Sequence, residues 1–191
     1  MTQAERKKGP ARLQLLLIAA LFLGPLLFAA WMYNSGKGLA PAARSNHGEL
    51  LEPIRHLADE YPEILRIGPG QWLLVYVYDG DCTARCQDAL YAQRQSRLML
   101  GNDMSRLTRV FLHGEWALDK VLADEQQAGL KPVHNRSLAK QLESTLPDNL
   151  PRGGFFLIDP LGNLVMYFKS DLDPREMVDD IKHLFDLSRI G

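Results

Sequence analysis

The chain is poor in cysteine. Among its 191 residues only Cys82 and Cys86 carry a thiol. A bridge between them would close a very short loop and remove little chain entropy, so a staple between distant segments is excluded. A local structural disulfide, a pair of small buried hydrophobes and a reactive pair remain open. Net charge is also scarce, at −1. No basic stripe interleaved with aromatics occurs beyond the first dozen residues, which argues against nucleic acid as a partner. Repeats and low-complexity blocks are absent too, and the roughly 145 residues beyond the N-terminal segment suit one domain.

Charge is missing altogether between Leu13 and Tyr33, where Gln14 is the one strongly polar residue. About twenty such residues are enough to cross a hydrocarbon core as a helix. Arg6, Lys7, Lys8 and Arg12 precede the run. The positive-inside bias therefore leaves the amino terminus in the cytoplasm and the rest outside, in the periplasm of a bacterium. A basic start and an apolar core also describe a cleavable signal peptide, but this core is long for one, and Trp31 and Tyr33 fit an interfacial anchor. The expected organisation is a cytoplasmic segment over 1–12, a transmembrane anchor over 13–33, a Gly- and Pro-broken linker over 34–50, and a domain over 51–191. That makes a single-pass inner-membrane protein.

Within the domain, Gln71 to Tyr78 is apolar without alternation, as expected of a central strand covered on both faces. Cys82 and Cys86 follow a short Asp/Gly loop, just where a helix from Thr83 to about Leu100 begins. Both sulfurs thus fall near the positive end of a helix, where thiolates are favoured. Thiolate pairs exchange disulfides and bind soft metals. Leu107 to His113 reads as a second strand, Trp116 to Gln127 as a helix ended by Gly129 and Pro132, and Ser137 to Leu146 as a shorter helix. Phe155 to Asp159 and Leu164 to Lys169 read as a hairpin across Asp159-Pro-Leu-Gly-Asn163. Asp173-Pro174 opens a last helix with an apolar stripe of Met177, Val178, Ile181, Leu184 and Phe185. Strand-helix-strand-helix followed by strand-strand-helix is an α/β pattern, with parallel pairing in its first half.

This order, with a Cys pair between the first strand and its helix, resembles the thioredoxin fold: a central mixed sheet flanked by helices, here behind one transmembrane helix. The three residues between Cys82 and Cys86 are similar to the spacing in the Sco family of cytochrome oxidase assembly proteins. The N-terminal anchor and the Phe156-Leu-Ile-Asp-Pro-Leu-Gly162 turn extend the resemblance. Asn46-His-Gly-Glu-Leu50 with Pro53, and Tyr91 with Arg94-Gln95, resemble membrane-anchored proteobacterial proteins associated with cytochrome c oxidase genes. The resemblance implies copper as a cofactor or cargo held by two Cys and a distant His, or thiol-disulfide chemistry at Cys82 and Cys86. It implies an oxidase subunit or another periplasmic assembly factor as partner. The alternatives are a general periplasmic thiol-disulfide oxidoreductase and a non-catalytic tethered scaffold that docks on an oxidase subunit. The family's histidine loop corresponds to Leu150-Pro-Arg-Gly-Gly154, which has no histidine. His113, at the end of the second strand, is the candidate third metal ligand, with His134 behind it. Pro151 is a candidate for the cis proline that thioredoxins place opposite their Cys loop. His47, His56 and His183 need only structural readings.

Overall fold

The computed structural model describes residues 9–34, 46–113 and 125–188. The chain divides into two compact units, Met1–Arg44 and Ser45–Gly191. In the first, helix α1 (Gly9–Asn34) contains the apolar run Leu13–Met32, with mean hydropathy 2.4 and no side chain of that run buried in protein. A long helix with an apolar surface all round is stable in lipid, where its backbone groups are satisfied internally.

The second unit is built on a six-stranded sheet in the order β1-β6-β5-β2-β3-β4. Its strands are β1 (Glu49–His56), β2 (Trp72–Tyr78), β3 (Leu107–His113), β4 (Lys131–Val133), β5 (Phe155–Ile158) and β6 (Asn163–Phe168). Strands β2, β3 and β4 run parallel, while β5, β6 and β1 are added antiparallel on the other side of β2. The helices are α2 (Ile64–Ile67), α3 (Ala84–Met99), α4 (Arg136–Ser144) and α5 (Pro174–Leu187).

Alternation along β2 divides the core between the two faces of the sheet. Trp72, Leu74 and Tyr76 face α3 and α5, where they meet Leu90, Ile181 and Phe185. Leu73, Val75 and Val77 face the opposite way, onto Leu138 and Leu142 of α4 and onto Leu57, Tyr61 and Ile64. Burial on both faces explains the unbroken apolar run, because neither set of alternate residues meets water.

The expected elements around the cysteines are present. The helix expected over Trp116 to Gln127 lies largely outside the described residues, and its last three, Glu125–Gln127, form a 3₁₀ turn. Much of the expected linker also lies outside them. The first strand begins at Glu49. Both outer strands contain a proline, a residue that an edge strand tolerates because one side needs no ladder donor. Pairing of β1 with β6 is interrupted between Leu50 and Arg55, around Pro53. Strand β4 pairs Pro132 with Phe111.

Two close approaches hold the sheet to its surroundings. A Cβ on Gly154 would lie 2.5 Å from the Tyr167 hydroxyl and against the Phe168 carbonyl oxygen, so only glycine lets β5 start there. Gly48 sits against the Phe168 ring, and its N–H donates to the buried Asp180 carboxylate of α5 at 2.7 Å. The Asn46-His-Gly-Glu-Leu50 stretch thus ties the start of β1 to the last helix.

Candidate functional site

The site grows out of the carboxyl end of β2. After Tyr78 the chain leaves the sheet through Asp79-Gly80-Asp81, with the Thr83 N–H donating to the Asp81 carbonyl at 2.8 Å. Gly80 takes a φ of 137°, a conformation open to glycine at no steric cost. Helix α3 then starts at Ala84, placing Cys82 just before the N-cap Thr83 and Cys86 on the first turn. The two sulfurs are joined in a disulfide, with their Cα atoms 5.0 Å apart.

The partners in this bond have unlike surroundings. Cys86 is wholly buried in the core between α3, α5 and the sheet, whereas Cys82 is half-buried and packs against that core from outside. Thr83 makes no side-chain hydrogen bond as N-cap, although Asn135 caps α4 and Asp173 caps α5. The first N–H groups of α3 therefore have no side-chain oxygen competing with a sulfur for them. Upon reduction, charge is best accommodated at Cys82, which keeps both water and the positive helix end. Arg85 adds a cation on one side, while Asp79 and Asp81 oppose it on the other, all three exposed.

A cavity of about 450 Å³ opens beside the same turn, lined by Arg85, Asp88, Ala89, Pro151, Ser170 and Asp171. Pro151 is therefore opposite the Cys-bearing helix, but its peptide bond is trans; among the described residues the cis bond is Glu52–Pro53. The Pro151 carbonyl accepts a hydrogen bond from the Tyr167 hydroxyl. Burial pushes the Tyr167 hydroxyl up to about 12. Tyr76, under the Cys turn, is also raised to about 12, first by burial and then by Tyr78. Both phenols stay protonated at any physiological pH.

The histidines form a separate group. His113 ends β3 directly beside Tyr78 in the parallel register, and is buried. Its ring lies against Phe111 at 5.4 Å and His134 at 5.7 Å between centroids, and the His134 Nδ1 is 3.2 Å from the His113 carbonyl oxygen. These two histidines, 21 residues apart, are thus neighbours. Among the described residues no three His, Cys, Asp or Glu side chains converge as a metal would require, so Cys82, Cys86 and His113 are not gathered into one donor set. As a disulfide the sulfurs have no thiolate to offer, and metal binding requires prior reduction. His47 pairs with Glu176 at 3.7 Å, His56 bonds the Asn163 side chain at 2.7 Å, and His183 is exposed on α5.

Sequence reasoning missed Tyr167 and Asp180. Both reach partners distant in the chain, and neither has a local signal. Gln93 carried one, as a polar residue on the apolar stripe of α3. It is fully buried and donates to the carbonyls of Leu74 and Val110 at 2.7 and 3.1 Å, clamping the helix across β2 and β3.

Comparison with known proteins agrees with this architecture. Residues 72–188 match the model of the transmembrane-like, thioredoxin-like C-terminal domain, and residues 4–36 match the transmembrane-like N-terminal domain. Copper-bound ScoI from Arabidopsis thaliana superposes with a TM-score of 0.50 at 13% identity, over 64% of this chain and 88% of that chain. Copper-bound ScoI from Bradyrhizobium japonicum gives 0.45 at 15% identity, over 62% and 87% respectively. The thioredoxin domain of a thiol-disulfide oxidoreductase from Bacteroides vulgatus gives 0.44 at 14%, over 63% and 83%. At 13% identity the likeness to the Arabidopsis thaliana protein is one of fold. No curated protein matches the chain. With its apolar N-terminal helix as a single-pass membrane anchor and its Sco-like, thioredoxin-like domain, the chain belongs to the transmembrane-like, thioredoxin-like family.

Proposed function

We propose that this protein works in cytochrome c oxidase assembly as a membrane-tethered thiol-disulfide exchanger, with Cys82 as the attacking and Cys86 as the resolving residue. The observation that carries the reading is the unequal burial of two bonded sulfurs at the start of α3. In the reducing direction the Cys82 thiolate attacks a client disulfide, forming a mixed disulfide and releasing one client thiolate. The Cys86 sulfur then attacks Cys82, its proton passes to the second client sulfur as that sulfur leaves, and the Cys82–Cys86 bond is regenerated. The client gains two electrons and the pair loses two. The reverse sequence oxidises a client dithiol. The domain faces the periplasm on the positive-inside argument, and its client is an oxidase subunit or another assembly factor there.

The test is capture. A Cys86→Ala chain expressed in cells and quenched with acid is expected to hold a client through Cys82, and Cys82→Ala is expected to hold none. Absence of any mixed disulfide in both would overturn the reading.

Copper relay is the second reading, supported by the three-residue spacing and by the copper-bound ScoI of Arabidopsis thaliana, a relative in fold. Copper is then cargo. The reduced pair can hold Cu(I) between two thiolates, with His113 as a third donor after rearrangement of the β3 end. Reduced full-length protein should retain about one Cu(I) per chain against a chelator, and a Cys82→Ala, Cys86→Ala chain should retain none. Equal retention by both would remove the pair as the copper site.

A further inference from the structure

Away from the disulfide, the α3 face of β3 holds an unusual concentration of positive charge. Arg109 lies in mid-strand and is 3% exposed. Alternation from Leu107 and Phe111 directs it toward α3, which supplies the half-buried Arg94 and Arg97. The three arginines line one cavity of about 140 Å³, together with Leu98, Ala128 and Glu125.

What these guanidiniums bond to is neutral. Arg109 donates through Nη1 to Gln127 Oε1 at 3.1 Å and through Nη2 to the Ala128 carbonyl at 2.9 Å. Arg97 donates through Nε to the Leu107 carbonyl at 2.8 Å. Those bonds fix the two side chains in place while using only part of each N–H fork. Among the described residues lining the cavity, Glu125 is the one carboxylate, and it is exposed at the rim. Burial, followed by the charges of Arg97 and Arg94, lowers the Arg109 pKa to about 10. Three like charges around a partly buried cavity repel, and among the described residues lining it only Glu125 opposes them.

We propose that the cavity bounded by Arg94, Arg97 and Arg109 binds a small phosphoryl oxyanion, supplied as free phosphate or as a phosphomonoester headgroup. Its volume is several times the roughly 30 Å³ share of one water, so a tetrahedral oxyanion fits without displacing protein. Pre-positioned guanidiniums give such an anion charge-assisted, fork-shaped hydrogen bonds from more than one side.

The full-length protein in phosphatidylcholine nanodiscs, in chloride buffer, can be titrated calorimetrically with inorganic phosphate. Saturable binding is expected. Arg94→Gln should weaken it at least about tenfold, the worth of one charge-assisted hydrogen bond, while Arg66→Gln, an exposed change on α2, should leave it unaltered. Glu125→Gln removes the opposing rim charge at an exposed position and should tighten binding several-fold. In nanodiscs doped with phosphatidic acid, loss of the phosphate heat would identify a headgroup as occupant, and an unchanged heat would identify free phosphate; both support the site. No saturable heat in undoped nanodiscs, equal heats from Arg94→Gln and wild type, or no gain from Glu125→Gln would overturn it.

Discussion

Reducing the Cys82–Cys86 bond should leave the domain folded. The bond spans a sequence separation of 4, for which the chain-entropy relation gives a stabilisation of about 2 kcal/mol. Cys86 is wholly buried among α3, α5 and the sheet, with Cys82 packing on that core from outside, so most of its surroundings do not depend on the bond. Against a total of roughly 5–15 kcal/mol for a domain, a loss of this size is tolerated. Urea unfolding of the full-length protein in detergent, with and without a phosphine reductant, measures it. Trp72 is buried against Phe185 at 5.6 Å between ring centroids and contributes a fluorescence signal for the domain core. At a urea slope of about 2 kcal/mol per molar, the midpoint should fall by about 1 M on reduction and the transition should stay cooperative. A fall of more than about 2 M, or loss of cooperativity, would make the bond a staple of the fold and refute its reading as a reversible pair.

Three further outcomes follow from contacts away from the bond. Gly154→Ala forces a methyl between the Phe168 carbonyl and the Tyr167 hydroxyl, and should cost about 3 kcal/mol or more, read as a lowered melting temperature. Asp180→Ala removes the buried acceptor of the Gly48 N–H and should cost about 1–3 kcal/mol; hydrogen exchange at Gly48 should accelerate if that bond holds the start of β1. Tyr76 and Tyr167 have folded pKa values raised from 10.0 to about 12, so their contribution is full below pH 10. It is lost as pH rises from 10 toward 12, because the unfolded chain releases those protons first. Urea midpoints should therefore decline over that window, and a Tyr76→Phe, Tyr167→Phe chain should decline less.

Much of the fold can be read from local pattern. Strand β2, helix α3, strand β3, the β5–β6 hairpin and α5 each carry their own signal: an apolar run, a turn sequence, or Asp173-Pro174 at a helix start. Such signals rest on interactions among near neighbours. The sequence also determined the anchor, because length and lack of charge suffice for a span, and it determined the location of the Cys pair between strand and helix.

Tertiary structure decided what local pattern cannot carry. Strands β1 and β4 exist because β6 and β3 supply partners for them; alone, Pro53 and Pro132 argue against strand. It decided that Cys86 is sealed and Cys82 is not, since burial depends on α5 and β5, far along the chain. It set Asp180 against Gly48, 132 residues away, and turned three unremarkable arginines of α3 and β3 into one cavity wall. The physical reason is common to all of these. A residue's conformation is biased by its neighbours in sequence, but its burial, charge environment and reactivity are set by groups that only folding brings within reach.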